Sequence, residues 1–346
     1  MNSLAIIFGG YSFEHEISIV SAIAMKKAIK DKFDFIFIDR DKEFYQIPYE
    51  TIKSNLFSSG EYKKCKRLYI TDGGFYYKTL FGTTNLNYET VLNLIHGGNG
   101  EDGVLASLFD FFDINYIGPR VEASVVSFNK YLTKSYAKSC GVKTVDFKYF
   151  TKDDKIDIDK FPVIIKPTRL GSSIGVSIVE KEDELSYALD VAFEFDDEII
   201  VEPFIDGVKE YNLAGCKIDG EFKFSIIEEP NKQKFLDFEK KYLDFNRTDA
   251  INSADISNEL QQKIKRSFEK IYNNRFTGSL IRCDFFVIEE EVYLNEINPI
   301  PGSMANYLFD NFDEVIKKLS KSLPKNKKIA IDYTYVNKIQ SAKGKL

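Results

Sequence analysis

The sequence has no tryptophan, four cysteines, two histidines and no surplus of positive charge. The missing tryptophan leaves the core well supplied, because thirty phenylalanines and twenty tyrosines provide apolar mass. Cys65, Cys140, Cys216 and Cys283 lie far apart, and none belongs to a C-x-x-C pair. That spacing argues against zinc and for reduced, mostly buried thiols in a cytosolic protein. A net charge of −6 gives no bulk basic field for nucleic acid. The dense basic run Lys325–Lys328 reads as solvated surface. No apolar stretch is long enough to span a bilayer. The opening "MNSLAIIFGG" lacks the basic segment and the apolar length of a secretory signal. What is present, 44% hydrophobic and 29% charged residues, is the balance of a folded soluble protein. At roughly 100–200 residues per domain, the length predicts two or three domains.

Leu4–Gly10 (LAIIFGG) predicts a buried strand ending in a glycine turn. A helix over about Glu14–Lys30 follows, with Ile17, Val20, Ile23 and Ala24 near one face. Phe33–Asp39 predicts a second strand, "TVLNLIHGGNGEDGVLASLFDFF" repeats the order strand, glycine loop, helix, and "NYIGP" adds a short strand. This alternation predicts a parallel sheet through about Gly118. Ligands in such sheets sit at the carboxyl ends of strands, where both glycine loops, Gly9-Gly10 and Gly97–Gly100, fall. One helix from about Glu122 to Cys140 is expected to stop at Gly141. "VDFKYF", "FPVIIKPT", "GVSIVE" and "DEIIVEPFI" read as strands, with a helix near Asp183–Phe195. From Glu210 the pattern turns antiparallel, with a hairpin at Asp219-Gly220. The polar stretch of about Pro230–Ala254 has the length of a functional loop or lid. Helices near Asn258–Arg275 and Phe312–Ser322 and a polar tail complete three modules: 1–120, 121–208 and 209–346.

The chemistry concentrates in "SLIRCDFFVIEEEVYLNEINPIPGS", Ser279–Ser303. A hairpin with a three-residue loop, Glu289–Glu291, places Ile288 opposite Val292, Asp284 opposite Glu296 and Arg282 opposite Asn298. All four polar residues then share one face, whereas a two-residue loop scatters them. Two facing carboxylates repel, so a shared proton, an arginine or a metal must compensate. Asp284, Glu296 and Asn298 offer the oxygen ligands that hard Mg²⁺ takes, and Arg282 suits a developing anion. A polar, solvent-facing strand end has the same composition. In "FPVIIKPTRLGSSIGVSIVE", Lys166 ends an apolar strand before a Gly/Ser-rich loop able to turn backbone N–H groups toward phosphate. It is not a P-loop, since strand rather than helix follows; a plain flexible hairpin is the alternative. Together the two features point to phosphoryl transfer from a nucleotide. Glu202 and Glu210 bracket a connector that suits adenosine or is a plain charged loop edge; His96 closes a strand before glycines, facing a cleft or serving as a structural histidine; and Glu14 suits a substrate ammonium or a helix N-terminus. Lys241 and Tyr242 fall in the expected lid.

These pieces in this order resemble the D-alanine–D-alanine ligases of the ATP-grasp group, from Gly9 to about Leu308. "GGYSFEHEIS" and "HGGNGEDG" carry the likeness to that family, and "IIKPTRLGSSIGVS" and "NEINPIPG" mark ATP-grasp more broadly. The resemblance implies a three-domain α/β (α+β) ATP-grasp fold with an N-terminal parallel-sheet domain and ATP between the two C-terminal modules. It implies ATP- and Mg²⁺-dependent joining of two D-alanines for peptidoglycan synthesis, with Mn²⁺ an admissible substitute. By position, Glu14 matches the holder of the first ammonium, and Ser172 and Tyr242 its hydrogen-bonded partners. Lys130, Lys166 and Lys241 match the phosphate-contacting lysines, and Glu202, Ile205 and Glu210 the adenosine site. Arg282 matches the transition-state arginine, Gly302 a backbone N–H donor, and Asp284, Glu296 and Asn298 the metal ligands. His96 matches the histidine near the first substrate, and Tyr307 and Leu308 fall at the second substrate's carboxylate, where the family often has serine in the place of Tyr307. Tyr242 fits the D-alanine-using branch. A cytoplasmic homodimer binding D-alanine and ATP, with no nucleic acid and no membrane, is the implied setting. The alternatives are a relative using D-lactate or D-serine as acceptor, and a nucleotide-binding regulator without catalysis.

Overall fold

The run Leu4–Gly9 is almost wholly apolar, and it forms a strand buried on both faces, β1 (Leu4–Gly9). The computed structural model describes residues 4–230, 252–325 and 329–343. After β1 come α1 (His15–Ala28), β2 (Asp34–Ile38), β3 (Phe44–Ile47), α2 (Ser54–Ser58), β4 (Lys66–Thr71), β5 (Gly74–Thr79) and β6 (Gly82–Asn87). β7 (Thr90–Asn93), α3 (Gly98–Glu101), α4 (Val104–Phe111) and β8 (Tyr116–Ile117) follow. They build one eight-stranded sheet in the order β6-β5-β4-β3-β2-β1-β7-β8. The expected parallel sheet holds for β2-β1-β7-β8 only. β3 to β6 pair antiparallel; short turns join β2 to β3, β4 to β5 and β5 to β6, where no crossover helix is needed, while α2 lies between β3 and β4.

The helix expected over 122–140 is two helices, α5 (Val121–Phe128) and α6 (Lys130–Ser139). Asn129 interrupts it by leaving helical geometry (φ −96°, ψ 117°) and accepting a hydrogen bond from the Leu132 N–H, a cap that asparagine favours. β9 (Lys143–Thr144) leads into β10 (Lys148–Thr151), β11 (Val163–Pro167), β12 (Ser177–Val179), α7 (Leu185–Phe193) and β13 (Glu198–Pro203). The last four strands form the central sheet, β10-β13-β11-β12. β14 (Lys209–Ile218), β15 (Glu221–Glu228), α8 (Asn258–Tyr272), β16 (Ile281–Ile288) and β17 (Glu291–Asn298) then give a third sheet, β15-β14-β16-β17-β9. A 3₁₀ turn over Gly302–Leu308, α9 (Phe312–Lys321) and α10 (Thr334–Lys343) follow. The last lies where a polar tail was expected.

Leu260, Ile264, Phe268 and Ile271 recur on one face of α8 and pack against Tyr211, Leu213, Phe285 and Leu294 of the third sheet. A separate core joins Phe8, Phe35 and Phe37 to Met304, Leu308, Phe312 and Ile316. The N-terminal sheet and the chain after β17 are thus fastened by apolar burial. The central sheet has its own core of Val163, Ile165, Ala188, Ala192, Ile199 and Val201. Among the described residues no helix is long and apolar enough to cross a membrane, and all four cysteines are free thiols.

Candidate active site

The site begins at the two glycine loops of the N-terminal sheet. Glu14 precedes α1 and is only 7% exposed. Its Oε1 accepts a 2.5 Å hydrogen bond from Ser172 Oγ of the Gly/Ser loop after β11. The carboxylate occupies space that side chains would fill. A Cβ at Gly97 would lie 2.6 Å from Glu14 Oε2, and one at Gly171 3.0 Å from Oε1. Gly97 also has φ +64°, a conformation natural to glycine. Burial, helped by Glu101, raises the Glu14 pKa above the ordinary carboxylate range.

His96 is 4% exposed, and its Nε2 meets Ser21 Oγ at 2.9 Å, which in turn accepts from the Ser303 N–H. On its other side Nδ1 lies 3.8 Å from Glu101 Oε1. Burial lowers the His96 pKa to about 4 and raises that of Glu101 to about 8. At neutral pH this is a neutral pair. Glu101 escaped the sequence reading although it sits in the "HGGNGEDG" loop; its signal was a carboxylate five residues from His96. Between pH 4.5 and about 8 folded Glu101 keeps a proton that the unfolded chain releases, so its contribution to stability is full below that window and lost as pH rises through it. His96 works the other way, losing stability as pH falls from 6.5 toward 4. Glu101→Gln is therefore expected to melt like wild type near about pH 5 and several degrees higher near about pH 9. Parallel melting curves that never separate would refute this.

The Gly/Ser loop is pinned at its base. Thr168 Oγ1 and the Arg169 N–H donate to Asp196, and Arg169 also pairs with Glu198. The Lys130 N–H bonds to Thr168 O, and its Nζ donates to Leu170 O. Lys130 is partly buried, and desolvation lowers its pKa, while Glu296, Glu14 and Glu202 oppose that shift. One lysine thus lies in the field of carboxylates from the start of α1, from β13 and from β17. Lys166, from β11, pairs with Glu202 Oε2 of β13 at 2.6 Å. Ile205 follows in the connector, and Glu210 is the second residue of β14, opposite Phe286.

In the third sheet the expected pairs are present, but by another route. Ile288 pairs with Glu291, not Val292, across a two-residue turn whose Glu289 and Glu290 have φ 50° and 62°. That type I′ geometry commonly announces itself as Asn-Gly, and Glu-Glu hides it. The turn alone would place Asp284 opposite Asn295. A β-bulge at Asn295 inserts one residue, so Asp284 faces Glu296 and Arg282 faces Asn298 after all. A second irregularity, where Ser225 Oγ accepts from the Ala214 N–H, brings Asn212 opposite Glu228. Glu228, Asn212, Asp284 and Glu296 therefore form one row across β15, β14, β16 and β17. Glu228 and Asn212 were not foreseen, because the bulge that aligns them has no signature in the residues.

Arg282 compensates the facing carboxylates, with Nε 2.7 Å from Asp284 Oδ1 and Nη2 2.8 Å from Oδ2. Asn298 Nδ2 adds a bond to Oδ2 at 3.0 Å. Burial still raises the Asp284 pKa to about 6, with Glu296 adding to the rise against Arg282. Two carboxylates and a carboxamide oxygen on one face suit a hard divalent cation. Tyr307 OH donates to Glu228, and Leu308 is buried in the apolar core. Gly302 opens a turn whose Ser303, Met304 and Ala305 all have φ near +50°, a left-handed run that is strained for side-chain-bearing residues. Lys241 and Tyr242 lie outside the described residues.

Two family models match this chain: the D-ala D-ala ligase N-terminus over residues 3–119 and the D-ala D-ala ligase C-terminus over residues 136–313. The D-alanine–D-alanine ligase of Sulfurovum sp. is 60% identical over 346 residues, covering 99% of both chains. That of Wolinella succinogenes is 58% identical, covering 99% of this chain and all of its own. Among solved structures, the D-alanine–D-alanine ligase from Helicobacter pylori superposes with a TM-score of 0.84 at 49% identity, covering 94% of this chain and 100% of that one. The VanG D-Ala:D-Ser ligase from Enterococcus faecalis superposes with a TM-score of 0.73 at 25% identity, covering 92% and 98%. With matches that run through both ends of the site, the chain belongs to the D-alanine–D-alanine ligase family of the ATP-grasp group.

Proposed function

We propose that this site joins two D-alanines into D-alanyl-D-alanine for peptidoglycan synthesis, using ATP and Mg²⁺ in the cytoplasm. The observation that carries the reading is Lys130, a partly buried cation held at the Gly/Ser loop by Thr168 O and Leu170 O, in the field of Glu14, Glu202 and Glu296 at once. Glu14, held by Ser172, takes the ammonium of the first D-alanine, with His96 beside it. The carboxylate of that D-alanine attacks the γ-phosphoryl group, ADP leaves, and a D-alanyl phosphate forms. The second D-alanine, as free amine, attacks the acyl carbon; the phosphate departs and the amine's proton is released. Lys130 and Lys166 offset the negative charge of the approaching groups, and Arg282 with the Gly302 N–H faces the charge that develops on the acyl oxygen. Glu202, Ile205 and Glu210 line the adenosine end. Asp284, Glu296 and Asn298 would hold Mg²⁺, which when bound supplies positive charge to the phosphate oxygens. Lys241 and Tyr242 are assigned to the lid by resemblance, where closure would keep water from the acyl phosphate.

The modules in this reading are 1–120, 121–208 and 209–346. Sheet membership supports moving β9 to the last of them, since it pairs with β17. The homodimer implied by the family is part of the proposal; sedimentation showing a monomer at working concentration would remove it.

The direct test is ADP and phosphate release with D-alanine, L-alanine, D-lactate or D-serine as acceptor, products being identified by mass. Release that depends on D-alanine is expected, and its absence with ATP and Mg²⁺ present would sink the reading. A D-serine product would favour the acceptor of the VanG enzyme instead. Glu14→Gln is expected to raise the KM for the first D-alanine about ten- to a hundred-fold, as for loss of one charged hydrogen bond, with a smaller change in kcat. An unchanged KM in initial-rate measurements would remove Glu14 from the ammonium site.

A further inference from the structure

Lys134 is the only buried lysine among the described residues, at 2% exposure. It lies one helical turn after Lys130 on α6, and so on the same face. Its Nζ pairs with Glu202 Oε1, while Lys166 Nζ holds Oε2 at 2.6 Å. The two lysines are not equivalent. The Lys134 side chain is 2% exposed and its Nζ also lies 5.6 Å from the centre of the Phe147 ring, whereas the Lys166 side chain is 13% exposed, on the open side of the pair.

A buried carboxylate stripped of its only cation is strongly unfavourable. If Lys166 were the sole partner of Glu202, turning toward a phosphate would leave that carboxylate bare, and Glu202 would compete with ATP for the lysine. With Lys134 in place, Glu202 keeps a counter-ion throughout. The two cations together hold the Glu202 pKa down, to about 2, against its burial.

We propose that Lys134 is a positioning residue for ATP: by staying paired with Glu202 inside the subdomain, it frees Lys166 to exchange Glu202 for the nucleotide's phosphates. The inference rests on the reading of Lys166 and Glu202 as parts of the ATP site.

The test uses the full chain and steady-state kinetics with ATP and D-alanine varied separately. Lys134→Met is expected to raise the KM for ATP about ten-fold or more, the scale of one charged hydrogen bond. The KM for D-alanine should stay within about three-fold, and Lys134→Arg should recover most of the loss. A Lys134→Met enzyme with wild-type KM for ATP, or one in which both KM values and kcat worsen in step, would overturn the proposal. Lys166→Met and Glu202→Gln separate the two levels. If neither moves the KM for ATP, the ATP-site reading fails and the proposal with it; if they move it and Lys134→Met does not, only the proposal fails. Should Lys134→Met be insoluble, Lys134→Met is combined with Glu202→Gln, which leaves no buried charge unpaired. Because Lys134 acts only through Glu202, the double variant should match Glu202→Gln in its KM for ATP; a further rise would overturn the proposal.

Discussion

Arg282→Met is expected to lower kcat by about a hundred- to a thousand-fold, the loss that follows removal of one donor aimed at a developing oxyanion. A second effect accompanies it. Arg282 binds both oxygens of Asp284, which is 2% exposed and faces Glu296. Removing the guanidinium leaves a buried carboxylate uncompensated, so stability should fall by roughly 3–5 kcal/mol. The two effects separate with Mg²⁺. A cation on Asp284 and Glu296 should return much of the melting temperature, by mass action on the folded state, but not the rate. Recovery of kcat by Mg²⁺ would show that Arg282 serves only to offset the carboxylates.

Asp284→Asn is the complementary change. It keeps the shape of the side chain, its place opposite Glu296 and an oxygen donor, but removes one of the two carboxylates that suit a divalent cation. The Mg²⁺ concentration for half-maximal rate is expected to rise about a hundred-fold or more, on the scale of perturbed metal sites. The KM for the first D-alanine, proposed to be set at Glu14 before α1, should change little. Arg282 would lose its bidentate partner and retain Glu228 as a neighbouring negative charge. A titration of rate against Mg²⁺ that superimposes on wild type would remove Asp284 from the metal site.

Much of this was legible before any fold was known. The strand β1 and the helix after it follow from an apolar run, two glycines and a helical period. The loops Gly9-Gly10 and Gly97–Gly100 were visible as glycines at strand ends; that Gly97 leaves room for the Glu14 carboxylate is seen only in the fold. Lys166 and the four polar residues of the last hairpin stood out as polar side chains among apolar ones, and Ser172 was reached through the family resemblance. Residues 44–87 were not legible, since their short, largely polar strands carry no strong alternation.

The sequence by itself determined which side chains are ionisable, which loops carry glycine, and that Arg282, Asp284, Glu296 and Asn298 belong together. Tertiary structure alone decided how they meet. The turn at Glu289-Glu290 would have misaligned the pairs by one residue, and the bulge at Asn295 restores them. A bulge is set by backbone pairing across strands, not by the identity of one residue, so no local pattern announces it. The same holds for Lys134, whose partner lies 68 positions away on β13 (202 − 134). Its meaning depends on burial around a shared carboxylate, and burial exists only once the chain has folded.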